Sequence, residues 1–253
     1  MTFPILEFDP TRQAIIEPHI DMSNPLKDVP ERCVITFFRE VLLDLESRGL
    51  LKIVSTLRWE VGPNPIYMME WEGERLLVIH PGVGAPLAAG YLEELIAMGT
   101  TKFIACGGAG VLDRQIALGH AVILTAAVRD EGTSYHYLPP GREVSADPAM
   151  TEALAQACRR RGLPFNLGKA WTTDAPYRET VARRDRRWTE GCSVVEMEAA
   201  AFFAVAQFRG VQFGQVVYGG DLVVPEGWDD RNWTKHSERE MLFWLAVDAV
   251  VGV

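Results

Sequence analysis

The chain has 253 residues, 48% of them hydrophobic, and a formal charge of −9. That length can bury one sizeable core, and the acidic balance excludes a general electrostatic grip on nucleic acid, which relies on clustered Lys and Arg. No apolar run approaches the roughly 20 residues needed to span a bilayer, and the irregular spacing of Cys33, Cys106, Cys158 and Cys192 excludes a CxxC metal pair or a dense disulfide framework.

In chain order, the opening MTFPILEFDPTRQ lacks the basic start, apolar block and small-residue cleavage site of a secretory signal, so a cytosolic location is expected. Residues 76–80 (LLVIH) predict a buried strand, followed by the turn Pro81-Gly82-Val83-Gly84-Ala85-Pro86 and a helical spacing over 87–98 that Gly99 stops. The pattern repeats at 102–106 (KFIAC), a strand expected to end in a Gly107-Gly108-Ala109-Gly110 loop. A third strand is predicted over 121–128, and the Gly-, Pro- and Tyr-rich segment 129–141 reads as a loop. Asp147 as N-cap, Pro148 in the first turn and Gly162 as stop predict a helix over 148–161. Residues 165–172 predict another strand. From Val194, VVEMEAAAFFAVAQFRG gives a short strand end and then an apolar helix halted by Gly210. Residues 212–218 predict a strand ending at Gly219-Gly220-Asp221, and 234–250 a final amphipathic helix. The basic cluster 183–187, interrupted by Asp185, reads as a solvated helix face or loop. This alternation predicts an α/β fold, and without a repeat or linker the chain reads as one domain over 1–253.

In open α/β sheets ligands gather at the carboxyl ends of strands, where the Gly84, Gly108 and Asp221 turns are expected. Gly82-Val83-Gly84 before a helix can turn tightly and point amides at an anion, as can Gly107 and Gly108, but harmless turns do the same. Glu196-Met197-Glu198 sets two carboxylates at the mouth of an otherwise apolar helix. One such acid complements the helix dipole. The two lie on one side of a strand but about 200° apart on a helix, so whether both face one pocket depends on where the helix begins. A carboxylate suits the two hydroxyls of a vicinal diol. Asp221, after two glycines, is either an N-cap or an acid that a ligand can approach closely. No metal-ligand spacing and no GxSxG elbow occur.

These motifs resemble the nucleoside phosphorylases of the hexameric purine-nucleoside and uridine phosphorylase type, over residues 18–224. The resemblance is carried by Val195-Glu196-Met197-Glu198-Ala199-Ala200-Ala201 with Gly220-Asp221-Leu222, and supported by Gly82-Val83-Gly84-Ala85-Pro86, Cys106-Gly107-Gly108-Ala109-Gly110, Ala127-Val128-Arg129-Asp130-Glu131-Gly132 and Pro18-His19-Ile20. It implies a central mixed, twisted sheet flanked by helices and a homo-oligomer, a dimer or a trimer of dimers, in which His19 reaches a neighbour's ribose. It further implies that Glu198 binds the ribose hydroxyls, with Glu196 and Met197 beside the sugar, that Asp221 is the acid at the base, and that Trp171 packs on the base, with Arg178 as a candidate base contact. The implied reaction uses a nucleoside and inorganic phosphate, with no cofactor and no metal. Phosphate would be held by Gly84, Gly107, Gly108 and Arg39. The sequence departs from the family there: the early Gly-Asp-Pro-x-Arg loop is replaced by Ile35-Thr36-Phe37-Phe38-Arg39-Glu40, and the family's arginine and hydroxyl residue align with Ala105 and Gly108. An arginine gives a bidentate anion clamp that alanine and glycine cannot, so hydrolysis by water and non-catalytic nucleoside binding stand as alternatives.

Overall fold

The structure is a computed structural model and describes residues 3–18, 26, 28–232 and 236–253. The chain runs β1 (Arg32–Thr36), α1 (Arg39–Ser47), β2 (Lys52–Trp59), β3 (Gly62–Trp71), β4 (Glu74–Ile79), α2 (Ala85–Met98), β5 (Lys102–Val111), β6 (Ala121–Asp130), β7 (Glu143–Ser145), α3 (Pro148–Arg161), β8 (Phe165–Thr173), α4 (Val181–Thr189), β9 (Cys192–Glu196), α5 (Ala199–Arg209), β10 (Gln212–Val224), β11 (Gly227–Asp229) and α6 (His236–Val251). The strands form one mixed sheet in the order β11-β10-β6-β8-β9-β5-β1-β4-β3-β2, with β7 on β6 and a further pairing between β10 and β5.

That extra pairing closes five strands into a ring. One edge of β5 runs parallel to β10 from Lys102 to Val111. Along its other edge, residues 102–106 pair with β1, while Gly110 and Val111 turn to β9. Strand β5 therefore belongs both to the open sheet and to the ring, and it carries the start of α5 on one side and the end of β10 on the other.

One core cluster packs α2 and α5 against the sheet, and a second packs α1, α3 and α6. Helix α5 is buried along Ala199 to Ala206, as its apolar sequence demands. Local signals set several boundaries: the Asp147 side chain accepts the Met150 amide at 3.0 Å at the start of α3, and Gly162 and Gly99 close α3 and α2 in the left-handed conformation. Among the described residues no helix is long and apolar enough to cross a membrane.

Two boundaries differ from expectation. Gly107-Gly108-Ala109-Gly110 is no loop, because β5 continues through it to Val111. A Cβ on Gly107 would lie 2.8 Å from the Phe37 ring, and one on Gly108 3.2 Å from Tyr218, so these glycines let aromatic rings press onto the strand. Strand β10 likewise passes Tyr218 and runs to Val224, with a register shift between Gly219 and Leu222 where a terminating turn was expected.

Candidate active site

Strand β9 ends at Glu196 and α5 begins at Ala199, so the two acids lie at the junction. Glu196 pairs across the ladder with Thr172 of β8. One of its oxygens accepts the Thr172 hydroxyl at 2.5 Å, and the other accepts the amides of Glu198 and Ala199 at 2.8 and 2.7 Å. The Thr172 hydroxyl in turn accepts the Ala200 amide at 3.0 Å. These contacts satisfy N–H groups that a helix start leaves without partners. Both Glu196 oxygens are engaged by the fold at the helix start, a role distinct from the ligand contact expected of Glu196.

Glu198 is the N-cap of α5, only 5% exposed, and its Oε1 accepts the Gly84 amide at 2.6 Å. Burial, reinforced by the charge of Glu196 and opposed by the Gly84 hydrogen bond, pushes its carboxyl up to about 8. Glu196 is raised as well, again chiefly by burial. Asp174, whose Oδ2 accepts the Gly132 amide at 2.8 Å, adds negative potential at both Glu198 and the buried Glu131. A cluster of acids of this kind favours a neutral polyhydroxyl group or developing positive charge over a bare anion. Met197 is half-buried beside it.

Of the glycine amides expected to cradle an anion, that of Gly84 is engaged by a carboxylate. Gly84, with φ 95° at the head of α2, points its amide at Glu198, and Gly107 and Gly108 are strand residues under aromatic rings. Arg39 is the exposed first residue of α1, and it lines a cavity of about 250 Å3 with Asn64, Tyr67 and His80. His80 Nδ1 accepts the Gly82 amide at 3.0 Å, and burial, followed by the charge of Arg39, lowers its pKa. Arg39 thus lies near the Gly82 turn.

Trp171 is a correction. It is fully buried among Leu112, Val128, Cys192 and Val195, and its indole N–H donates to Asp130 Oδ2 at 2.8 Å, so no ring face remains for a ligand. Arg178 is exposed at the end of a short 3-10 turn, Pro176–Arg178. His19 lies outside the described residues.

Asp221 is held over Gly110. The register shift in β10 lies opposite Gly110, and a bulge of this type re-aims a side chain. A Cβ on Gly110 would meet Val195 at 2.8 Å, Val223 at 3.1 Å and Asp221 Oδ2 at 3.5 Å. The missing side chain lets the strand leading to Glu198 and the strand bearing Asp221 converge. Two further residues join Asp221 here that sequence reasoning missed. The Trp228 indole N–H donates to Asp221 Oδ2 at 2.7 Å, and half-buried Glu179 has its carboxyl pushed up to about 7 by burial and then by the charge of Asp221. Glu179 precedes the α4 cap Thr180 and reads locally as a helix-start acid. The only hint of Trp228 was an aromatic after the Pro225-Glu226-Gly227 turn.

The Glu179 shift has a stability consequence with a definite sign. Its folded carboxyl titrates near 7 against an ordinary 4.5, so the folded chain binds the extra proton. The stability this gives is full below 4.5 and is lost as pH rises through about 7. Glu179→Gln is therefore expected to flatten the fall of Tm across that window. Parallel curves for the two proteins would contradict the assignment.

Among the described residues no group of three or more His, Cys, Asp or Glu side chains is arranged to hold a metal ion. Comparison with known proteins adds the family context. A family profile described as "Phosphorylase superfamily" matches residues 32–242. The guanosine phosphorylase of Halorubrum lacusprofundi is 33% identical over 157 residues, 60% of this chain and 64% of that protein. The chain therefore spans a little under two thirds of that relative's length. The uridine phosphorylase of Treponema pallidum is 32% identical over 186 residues, 68% of this chain and 71% of its own. A crystal structure of uridine phosphorylase from Vibrio fischeri superposes with a TM-score of 0.74 at 19% identity, covering 89% of this chain and 94% of that one, which speaks for the fold.

Proposed function

The chain belongs to the phosphorylase superfamily, and from that premise we propose that it cleaves the N-glycosidic bond of a purine nucleoside or uridine with inorganic phosphate, releasing the free base and ribose 1-phosphate. The observation that carries this reading is the convergence over Gly110 of the strand leading to buried Glu198 and the strand bearing Asp221.

As the C1′–N bond stretches, positive charge grows on the sugar and negative charge on the base, so each end needs its own partner. Glu198, held by the Gly84 amide, accepts hydrogen bonds from the vicinal hydroxyls and, once ionised, favours the cationic sugar. Met197 packs beside it. A phosphate oxygen forms the new bond to C1′ while the electron pair of the breaking bond leaves with the base. Asp221 lies at the base end beside Glu179, and Glu179, which holds a proton near neutral pH, is the source of the proton that the departing nitrogen takes up.

Phosphate, the anionic partner in the reaction, needs a positive group to hold it. Arg39, close to the Gly82 turn through His80, is the cation assigned to it. A second reading, hydrolysis by water, is favoured by one observation: the amide of Gly84 already serves Glu198, and Gly107 and Gly108 lie under aromatic rings. A panel of purine nucleosides and uridine, run with and without phosphate, separates the two. Release of base together with ribose 1-phosphate only when phosphate is present is the expected result, and base release at an undiminished rate without phosphate would overturn phosphorolysis.

The same reading implies a place in nucleoside metabolism, a cytosolic location and a homo-oligomer. Support for the oligomer comes from the exposed Ile15 and Ile16 on the segment bordering a cavity of about 470 Å3 between residues 11–18, Trp59, α2 and α5.

A further inference from the structure

The Trp228 side chain is anchored through its indole N–H and is otherwise mostly exposed. Its indole N–H donates to Asp221 Oδ2 at 2.7 Å, yet 66% of the residue is exposed. An indole has a large apolar face and one polar handle, and here only the handle is used.

The hairpin geometry says where the ring stands. Strand β11 pairs antiparallel with the end of β10, setting Trp228 opposite Val223 and Asp229 opposite Leu222. Directly paired residues share a face, and along a strand every second residue does. Asp221, Val223 and Trp228 therefore rise from the same face. That face is turned toward Gly110 and Val195, since Val223 and Asp221 both border the space a Gly110 side chain would fill. The ring thus stands at the rim of the subsite where Asp221 meets the base, on a three-residue strand paired along one edge.

We propose that Trp228 is a base-recognition residue, its ring covering the planar nucleobase while its N–H holds Asp221 Oδ2 and so orients the other carboxylate oxygen toward the base. This rests on the reading of the protein as a nucleoside-cleaving enzyme. It replaces Trp171, which is sealed in the core, as the aromatic partner of the base, and it makes Trp228 both a binding surface and a positioning residue for Asp221.

The test uses the full chain with inosine, guanosine and uridine as probes, comparing wild type with Trp228→Phe and Trp228→Ala. Phenylalanine keeps a ring and loses the N–H, whereas alanine loses both. KM for the preferred nucleoside is expected to rise about tenfold or more in Trp228→Ala, in line with the loss of one base–aromatic stack, and less in Trp228→Phe. The Trp228→Phe penalty on kcat should vanish in an Asp221→Asn background, because the Trp228 N–H acts on kcat only by orienting an acid group that asparagine lacks, even though the contact itself survives. Nucleoside should quench tryptophan fluorescence in the wild type, and the quench should be absent from Trp228→Phe despite the six tryptophans that remain of the seven. Wild-type turnover with KM and quench unchanged in both variants would overturn the role of Trp228 and leave the activity standing. A Trp228-dependent quench without any base release would overturn the activity and leave the ring-over-base contact standing, and neither turnover nor quench would overturn both.

Discussion

Glu198→Ala is expected to lower kcat/KM for the preferred nucleoside by about 100- to 1,000-fold, the range seen when one group aimed at developing charge is removed. The carboxylate sits at the head of α5, is 5% exposed and is fixed by the Gly84 amide at 2.6 Å. The loss should fall on both KM and kcat, because the diol contacts exist in the bound substrate and strengthen as the sugar becomes cationic. The folded protein should survive the change. A buried carboxyl titrating near 8 against an ordinary 4.5 favours folding at acid pH and loses that contribution as pH rises through about 8, so above that pH the substitution removes a buried charge. Steady-state kinetics with a Tm series from acid to alkaline pH check both parts. A kcat/KM within threefold of wild type would remove Glu198 from the site.

Asp221→Asn is the second large effect, and it should divide differently. If Asp221 acts only as the bond to the base breaks, kcat for a purine nucleoside falls by about 100- to 10,000-fold, the usual scale of a lost acid–base group, while KM moves little. The Trp228 indole can still donate to the amide oxygen of asparagine, so the hairpin should hold its place. A raised KM with kcat intact would instead make Asp221 a binding group.

Part of this was legible in the sequence because its causes are local. The limits of α3 follow from Asp147, Pro148 and Gly162 acting within one turn of the chain, and α5 follows from an apolar run bounded by Gly210. The glycines of β5 and β10 misled for the opposite reason. A local rule assigns glycine to turns, but Gly107 and Gly108 admit rings from elsewhere in the chain, and Gly220-Asp221 spans a register shift inside a strand that continues. The β2–β3 hairpin carries no clean alternation, since Pro63 and Pro65 sit in the half of β3 that pairs with β2 alone, before pairing with β4 begins at Ile66.

At the candidate site, motif alone singled out Glu198 and Asp221, but the separation of their neighbours could not be read from it. Glu196 and Glu198 look equivalent in sequence, and it is the Thr172 hydroxyl across the ladder, with the Glu198 and Ala199 amides, that commits Glu196 to the helix start. Trp171 and Trp228 are both tryptophans near strand ends, and tertiary packing alone decides that the first is sealed and the second exposed.

The closed ring of strands bears on how a product could leave. Strand β5 is laddered along both edges, to β10 on one side and to β1 and β9 on the other, so loosening the floor beneath Glu198 and Asp221 would break two ladders together. Strand β11 is bonded along one edge over three residues. Local opening begins where the fewest bonds must break. Under the proposed assignment, fraying of the β10–β11 hairpin would uncover the base end first, and the freed base is expected to depart before the sugar beside α5.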